Sequence, residues 1–205
     1  MQMAVILLAA GASQRMGASN KLLLPFGGQT LLGATLSQLE AADVGEILVV
    51  VGHEAALVSE ALQGRRCQIV ENPHYRQGLT SSIQAGIAQA APAAGYMICL
   101  ADMPLIPAAV YRLLAGALAC ALVTDPACIV QPVFEGRRGH PVLFSAAYRQ
   151  ALLDLDTPDG ARPVVQAHVQ HLLTVQVSTD AVLLDADTPE GYAALVERAA
   201  ANYKT

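Results

Sequence analysis

The chain has 205 residues, of which 54% are hydrophobic and only 4% aromatic, and its net charge is −5 at pH 7. We expect one α/β domain over residues 1–205, because this length supports a sizeable aliphatic core but is short for two ordinary domains. Basic residues are adjacent only in pairs, so no nucleic acid is expected as a partner. An anionic ligand would have to be bound by local groups.

The cysteines and the chain termini carry no sign of secretion. Cys67, Cys99, Cys120 and Cys128 lie among aliphatic residues without CxxC spacing, which favours reduced thiols packed in the core over a disulfide framework or a zinc site. The sequence shows neither a signal-peptide pattern nor an apolar stretch of membrane-spanning length. We therefore expect a cytoplasmic protein with no membrane partner.

Short aliphatic runs alternate with amphipathic stretches in the first part of the chain. The aliphatic runs predict strands at residues 4–10, 46–52, 67–72 and 96–102. The amphipathic stretches predict helices at residues 30–42, 54–63, 80–91 and 108–122. Unbroken Val, Ile and Leu runs separated by helices indicate strands that are buried on both faces of a parallel sheet. The predicted fold class is a doubly wound, mainly parallel, Rossmann-like α/β sheet.

The second part of the chain is less regular. Strands at residues 129–134 and 140–145 flank a charged turn at residues 135–139, which predicts a hairpin-like or mixed-sheet element. Helical segments at 146–155 and 158–169 follow, then aliphatic runs at 171–178 and 182–187, then a helix from Pro189. In open sheets of this kind, ligands bind outside the carboxyl ends of the strands. The loops after the strands are therefore the candidate sites.

The loop after the first strand has the composition of an anion site. In LLAAGASQRMGASNK, residues 7–21, Gly11 and Gly17 allow sharp turns close to a ligand, while Arg15 and Lys21 add positive charge. Phosphate is the natural ligand, but the loop is not a P-loop, because Lys21 follows Gly17 by four positions. From these residues alone, a plain strand-to-helix connection with surface cations is an equally good interpretation.

Two acidic motifs follow predicted aliphatic runs. Asp102 comes directly after a buried strand, where it would either face the ligand crevice or cap a turn. Asp185 and Asp187 would point the same way in an extended chain, although Asp187 or Thr188 could instead cap the helix from Pro189. Mg²⁺ takes few protein carboxylates and completes its shell with phosphates and water. Beside a phosphate loop, these aspartates are therefore candidate Mg²⁺ ligands.

Two further motifs lie in loops. In residues 72–87, Thr80 is a plausible helix N-cap and Ser81 and Ser82 fall in the first turn, where hydroxyls suit base edges or phosphate oxygens. We expect one of the two serines to bind a ligand, not both. In residues 136–141, His140 precedes a proline, and on the residues alone it is interpreted as structural.

Five segments together resemble one family, the MobA-like nucleotidyltransferases, and within it the molybdenum cofactor cytidylyltransferase branch. They are LAAGASQRMGASNKLLLPFGGQTLL (8–32), NPHYRQGLTSSIQAGI (72–87), LADMPLI (100–106), GRRGHPVLF (136–144) and LDADTPEGY (184–192). The resemblance implies the nucleotidyltransferase type of the fold and transfer of a nucleoside monophosphate from an NTP to a phosphorylated acceptor. For this branch, it implies CTP, a pterin phosphate (molybdopterin) and Mg²⁺.

The resemblance also implies residue roles. Nucleotide binding falls to Ala9, Ala10, Gly11, Ser13, Arg15, Gly17, Lys21, Ser81 and Ser82. Catalysis falls to Arg15, Lys21 and Asp102, the metal to Asp102 with Asp187 or Asp185, and the acceptor to Gly139 and His140. Ala10, second in the Ala-Ala-Gly triplet, accompanies CTP. A sugar phosphate acceptor or a cofactor-binding chaperone stays open as an alternative, and a molybdenum hydroxylase or its chaperone is implied as a client.

Overall fold

A computed structural model describes residues 2–12 and 20–202. The strands of this described part are β1 (Met3–Ala9), β2 (Pro25–Phe26), β3 (Gln29–Thr30), β4 (Gly45–Val51), β5 (Gln68–Glu71), β6 (Gly95–Leu100), β7 (Ile129–Phe134), β8 (Arg137–Arg138), β9 (Val142–Ser145) and β10 (Leu172–Gln176). Its α-helices are α1 (Leu31–Ala42), α2 (Ala55–Ala61), α3 (Leu79–Gln89), α4 (Ala108–Ala121), α5 (Arg149–Leu153), α6 (Arg162–Ala167) and α7 (Pro189–Asn202). Short 3₁₀ helices lie at 21–23, 75–77, 146–148, 169–171 and 180–183.

The main sheet has the strand order β10-β7-β9-β6-β1-β4-β5, with β8 paired to β7 beside this path. Pairing is parallel between β1 and β4, β1 and β6, β4 and β5, and β10 and β7. β9 lies antiparallel between β6 and β7, and β8 forms an antiparallel hairpin with β7. The predicted doubly wound, mainly parallel sheet is confirmed, including its mixed second half.

The core lies on both faces of this sheet. Successive residues of β1 alternate between two apolar layers, since Val5 and Leu7 pack in one layer and Ile6 and Leu8 in the other. All of β1 is buried, which explains why its sequence is continuously aliphatic. On the α3 side the packing is close: a Cβ on Gly86 would lie 2.4 Å from Cγ2 of Ile6. A larger residue there would push α3 away from the sheet.

Three local predictions differ from the structure. The aliphatic run at 182–187 forms no strand; it contributes to the 3₁₀ helix at 180–183, which Thr179 caps by accepting the backbone N–H of Ala181 at 3.2 Å. Cys120 is exposed and Cys67 only half-buried, so the core interpretation holds for Cys99 and Cys128 alone. The predicted N-cap Thr80 lies inside α3, which begins one residue earlier. Each error concerns a few residues whose tertiary neighbours override the local pattern.

α7 begins at Pro189 as predicted, and Thr188 accepts the backbone N–H of Gly191 at 3.1 Å in the first turn. Of the two predicted capping residues, Thr188 therefore caps this helix. Among the described residues, no helix has both the length and the apolar character needed to cross a membrane.

Candidate functional site

A cavity of about 400 Å³ opens beyond the carboxyl ends of β1 and β6, where the fold predicts a ligand site. The cavity brings together predicted site residues that are far apart in the sequence. These are Ala10, Gly11, Lys21, Ser82, Asp102, Asp185 and Asp187. Ala9 is buried at the end of β1 and does not line the cavity. Ser13, Arg15 and Gly17 lie outside the described residues, so their roles stay predictions.

Lys21 joins two of the acidic residues. Its Nζ lies 2.5 Å from Oδ2 of Asp102 and 2.6 Å from Oδ1 of Asp187. The Lys21 and Asp102 side chains are 12% and 13% exposed, whereas that of Asp187 is 38% exposed. These ion pairs are therefore only partly screened by solvent, which strengthens them relative to pairs on an open surface.

Backbone interactions hold these side chains in place. Asn20 accepts the N–H of Leu22 at 3.1 Å and so starts the 3₁₀ turn that contains Lys21. The carbonyl of Asp102 accepts the N–H of Ala186 at 3.2 Å. This second bond ties the turn before α7 to the end of β6, which explains how the two acidic motifs meet.

The charges of the cluster perturb one another. Burial lowers the pKa of Lys21, but the hydrogen-bonded carboxylates of Asp102 and Asp187 outweigh it, so this pKa is raised and the lysine stays protonated. The pKa of Asp185 is raised, first by burial and then by the negative charges of Asp187 and Asp102. The cavity thus concentrates negative charge around one ammonium group and favours a further cation.

The carboxylates of Asp102 and Asp187 fit a divalent metal ion that also binds phosphate. Because both carboxylates contact the same Nζ, Asp102 and Asp187 can reach one shared cation. Mg²⁺ takes few protein carboxylates and completes its shell with substrate phosphates and water, so two carboxylates are enough for such a site. Asp185 is turned toward the backbone instead, since its Oδ1 accepts the N–H of Asp187 at 3.3 Å.

The structure distinguishes the two serines of α3. Ser82 lines the cavity and accepts from Nδ2 of Asn72 at 3.0 Å, and within the described part of the chain its hydroxyl donates to no other group. Ser81 Oγ lies 3.0 and 2.9 Å from the carbonyls of His74 and Gly78 and accepts from Asn72 at 2.9 Å. Ser81 therefore supports the loop before α3, and Ser82 is the serine placed to contact a ligand.

A second cavity, of about 480 Å³, adjoins the first, because Leu79 and Leu100 line both. Its walls are mainly aliphatic, with polar side chains from Gln131, Arg138, His140, Asp159, Arg162 and Gln166. A mainly apolar cavity with a few polar groups is typical of a small-molecule site. We call the two neighbouring cavities together the cleft.

The predicted acceptor residues have different positions in this cleft. His140 lines the second cavity, and burial lowers its pKa, opposed by the charge of Asp102. Gly139 is packed against the backbone instead, since a Cβ there would lie 2.3 Å from the carbonyl oxygen of Val182. Gly139 also donates to the carbonyl of Pro132 at 2.9 Å. Gly139 thus allows the close approach that places His140, without lining the cavity itself.

Sequence reasoning gave no site role to five polar residues of the second cavity: Gln131, Arg138, Asp159, Arg162 and Gln166. Gln131 interrupts the apolar run of β7, a signal that was visible in the sequence, and its Nε2 donates to the carbonyl of Gly139 at 3.1 Å. Asp159 and Arg162 lie in and after the loop between α5 and α6. Nothing in their local sequence distinguishes them from ordinary surface residues.

Comparison with known proteins assigns the chain to a family. Residues 5–172 match the family model for the MobA-like NTP transferase domain. The chain belongs to this family. The chain is thus a nucleotidyltransferase of the MobA-like type, as the motifs predicted.

The names of two curated relatives state different activities. The chain is 31% identical to the nicotine blue oxidoreductase of Paenarthrobacter nicotinovorans over 159 residues, which cover 77% of this chain and 78% of that protein. It is 30% identical to the molybdenum cofactor cytidylyltransferase of Escherichia coli K12 over 144 residues, 68% of each chain. Membership of the family therefore does not decide the substrate.

Solved structures extend the comparison to the fold. A nucleotidyl transferase from Methanothermobacter thermautotroptrophicus has a TM-score of 0.86 at 23% identity, with 98% of this chain and 99% of that chain covered. Rv0371c of Mycobacterium tuberculosis H37Rv, in a complex with manganese, has a TM-score of 0.76 at 26% identity, with 96% and 99% covered. These neighbours share the nucleotidyltransferase fold over nearly the whole chain.

Proposed function

We propose that this chain transfers CMP from CTP to the phosphate of molybdopterin that carries molybdenum, forming the cytosine dinucleotide cofactor and releasing pyrophosphate. The observation that carries the proposal is the convergence of Lys21, Asp102 and Asp187 in a cavity at the strand ends. A cationic side chain beside two carboxylates that could hold a metal ion suits phosphoryl transfer, in which charge stabilisation and positioning do most of the work.

The acceptor and the nucleotide would occupy neighbouring parts of one cleft. The nucleotide would lie in the first cavity, near Ala10, Lys21 and Ser82, and the acceptor in the second, near His140. Ala10 supports CTP as the nucleotide, and the relative named as a molybdenum cofactor cytidylyltransferase supports the pterin acceptor. A molybdenum hydroxylase client stays a prediction.

The chemistry requires no strong base. A phosphate monoester is already ionised at neutral pH, so an acceptor oxygen can attack the α-phosphorus directly while the bond to the leaving pyrophosphate breaks. Lys21 would neutralise the negative charge on the phosphate oxygens. Asp102 and Asp187 would hold a divalent ion, for which we propose Mg²⁺ and which supplies Lewis-acid stabilisation of that same charge.

The nicotine blue oxidoreductase relative makes oxidoreduction the second candidate. The acidic pair favours nucleotidyl transfer, because hydride transfer to or from a small molecule has no need of two carboxylates on a shared cation. A transferase specific for another phosphorylated acceptor would release no pyrophosphate when the molybdenum cofactor is the acceptor offered.

Pyrophosphate release from each of the four NTPs, with and without the molybdenum cofactor, is the decisive measurement. We expect release from CTP that depends on the cofactor and on Mg²⁺. The variant Asp102→Asn should lose most of this activity, whereas Asp43→Asn, at an exposed position outside both cavities, should retain it. An absence of pyrophosphate release from every NTP in the presence of the cofactor would contradict the proposal and leave the alternatives open.

A further inference from the structure

The loop between α5 and α6 is hydrogen-bonded to the first two turns of α3. The backbone N–H of Gly160 donates to Oγ1 of Thr80 at 3.0 Å, and the N–H of Leu79 donates to the carbonyl of Pro158 at 3.2 Å. One helical turn further, Nε2 of Gln84 donates to two carbonyls at the end of α5 and just after it, at 2.8 and 2.9 Å. We call residues 156–162 the α6 entry segment.

The packing between these elements is tight. Gly160 has a φ of +70°, and a Cβ there would lie 2.8 Å from Cδ2 of Leu79. A Cβ on Gly78 would lie 2.9 Å from Cβ of Pro158. Thr80 is only 4% exposed, so water has little access to its bond with Gly160. The entry segment therefore has a defined position against α3, and the Thr80 hydroxyl is the side-chain group that fixes it.

The two bonded elements line different parts of the cleft. The start of α3 brings Gly78 and Ser82 to the first cavity, while the entry segment brings Asp159 and Arg162 to the second. The bond from Gly160 to Thr80 thus joins the wall of one cavity to the wall of the other.

We propose that Thr80 is a positioning residue for the acceptor: its hydroxyl holds the α6 entry segment so that Asp159 and Arg162 form one side of the acceptor cavity. This inference rests on the proposed function. Thr80 does not line either cavity itself, so it acts on the acceptor only through the segment that it binds. Arg162, on this wall of the second cavity, would favour the binding of an anionic acceptor.

Thr80→Val is the discriminating variant, because valine keeps the shape of threonine and removes the oxygen that accepts from Gly160. The loss leaves a buried N–H unpaired, which favours displacement of the segment. Thr80→Ser keeps the hydroxyl and should restore the wild-type behaviour. Thr30→Val is the matched control, since Thr30 accepts a backbone N–H at the same distance of 3.0 Å, at the start of α1 and away from both cavities.

The measurements are the KM for the molybdenum cofactor, the KM for CTP, and amide hydrogen exchange of residues 156–162. In Thr80→Val we expect the KM for the cofactor to rise about tenfold, which corresponds to the free energy of one buried hydrogen bond. The amides of residues 156–162 should exchange faster, and the KM for CTP should change little. Thr30→Val should lower thermal stability without raising the KM for the cofactor relative to the KM for CTP.

The outcomes separate the two proposals. Wild-type turnover with an unchanged cofactor KM in Thr80→Val, or an equal rise of both KM values, overturns the positioning role alone. An absence of pyrophosphate release from wild-type protein with CTP and the cofactor overturns the proposed function and, with it, the acceptor role of Thr80.

Discussion

Replacing Lys21 with methionine should strengthen the binding of a divalent cation to the nucleotide-free protein. The Lys21 ammonium contacts both Asp102 and Asp187, the carboxylates proposed to hold the metal. A divalent ion that reaches the same oxygens must displace this ammonium or bind beside it against charge repulsion. Methionine keeps most of the length of the side chain but carries no charge, so it removes one positive charge that competes with the metal for these carboxylates.

The magnitude follows from the two contacts. A hydrogen bond to a charged group contributes about 1.5–3 kcal/mol. The Asp187 side chain is 38% exposed, so its bond must be discounted for solvent screening. A total of about 1.5–3 kcal/mol for displacing Lys21 corresponds to a gain of about ten- to hundredfold in cation affinity.

Mn²⁺ is the probe, because the electron paramagnetic resonance signal of the free ion is lost when the ion binds. The titration needs no enzymatic turnover. Arg66→Met is the control, since it removes the same charge from an exposed position whose nearest acidic partner is Asp43. We expect Lys21→Met to bind Mn²⁺ more tightly than wild type and Arg66→Met to bind it equally. Unchanged or weaker binding in Lys21→Met would refute the idea that the lysine and the metal compete for one pair of carboxylates.

Three further outcomes are expected. Gly86→Ala should destabilise the fold by about 1–3 kcal/mol and lower Tm in thermal unfolding, because the new methyl group would lie 2.4 Å from a β1 side chain. At Gly116, a new methyl group would meet none of the described residues within 4 Å outside its own helix and chain neighbours, so Gly116→Ala should leave Tm equal or higher. Glu40→Gln should lower Tm at pH 7 by about 0.5–4 °C. Burial raises the pKa of Glu40, but hydrogen bonds from Arg65 and Arg66 outweigh burial and lower it. The difference in Tm between wild type and Glu40→Gln should therefore persist above about pH 4.5 and disappear as the pH falls through the lowered pKa. Ser82→Ala should weaken CTP binding in a calorimetric titration with little change in stability, while Ser81→Ala should mainly lower stability; the reverse pattern would contradict the assignment of the two serines.

The fold could be predicted because its signals are local. β1 is continuously aliphatic since both of its faces are buried, and such a run is visible without any knowledge of the neighbours. The motifs after the strands could also be identified, since the ends of parallel strands meet at one edge of the sheet. The family assignment confirms the MobA-like family that those motifs indicated together.

The contacts within the site could not be predicted in the same way. Lys21 is separated from Asp102 by 81 positions and from Asp187 by 166, so its pairing with both depends on tertiary folding. The sequence likewise made Thr80 a plausible cap, because threonine is among the residues preferred at helix N-caps. Its actual partner, Gly160, lies 80 positions away and carries no local signal.

The acidic pair unites distant parts of the chain, and this affects how far the domain can be shortened. The region that matches the family model ends at residue 172, yet Asp187 and the turn bonded to Asp102 lie beyond it. A fragment cut at that boundary would keep β1 and β6 but lose one of the two carboxylates and the whole of α7. Chimeras that exchange C-terminal segments between relatives would therefore replace part of the candidate site, and not merely a peripheral helix.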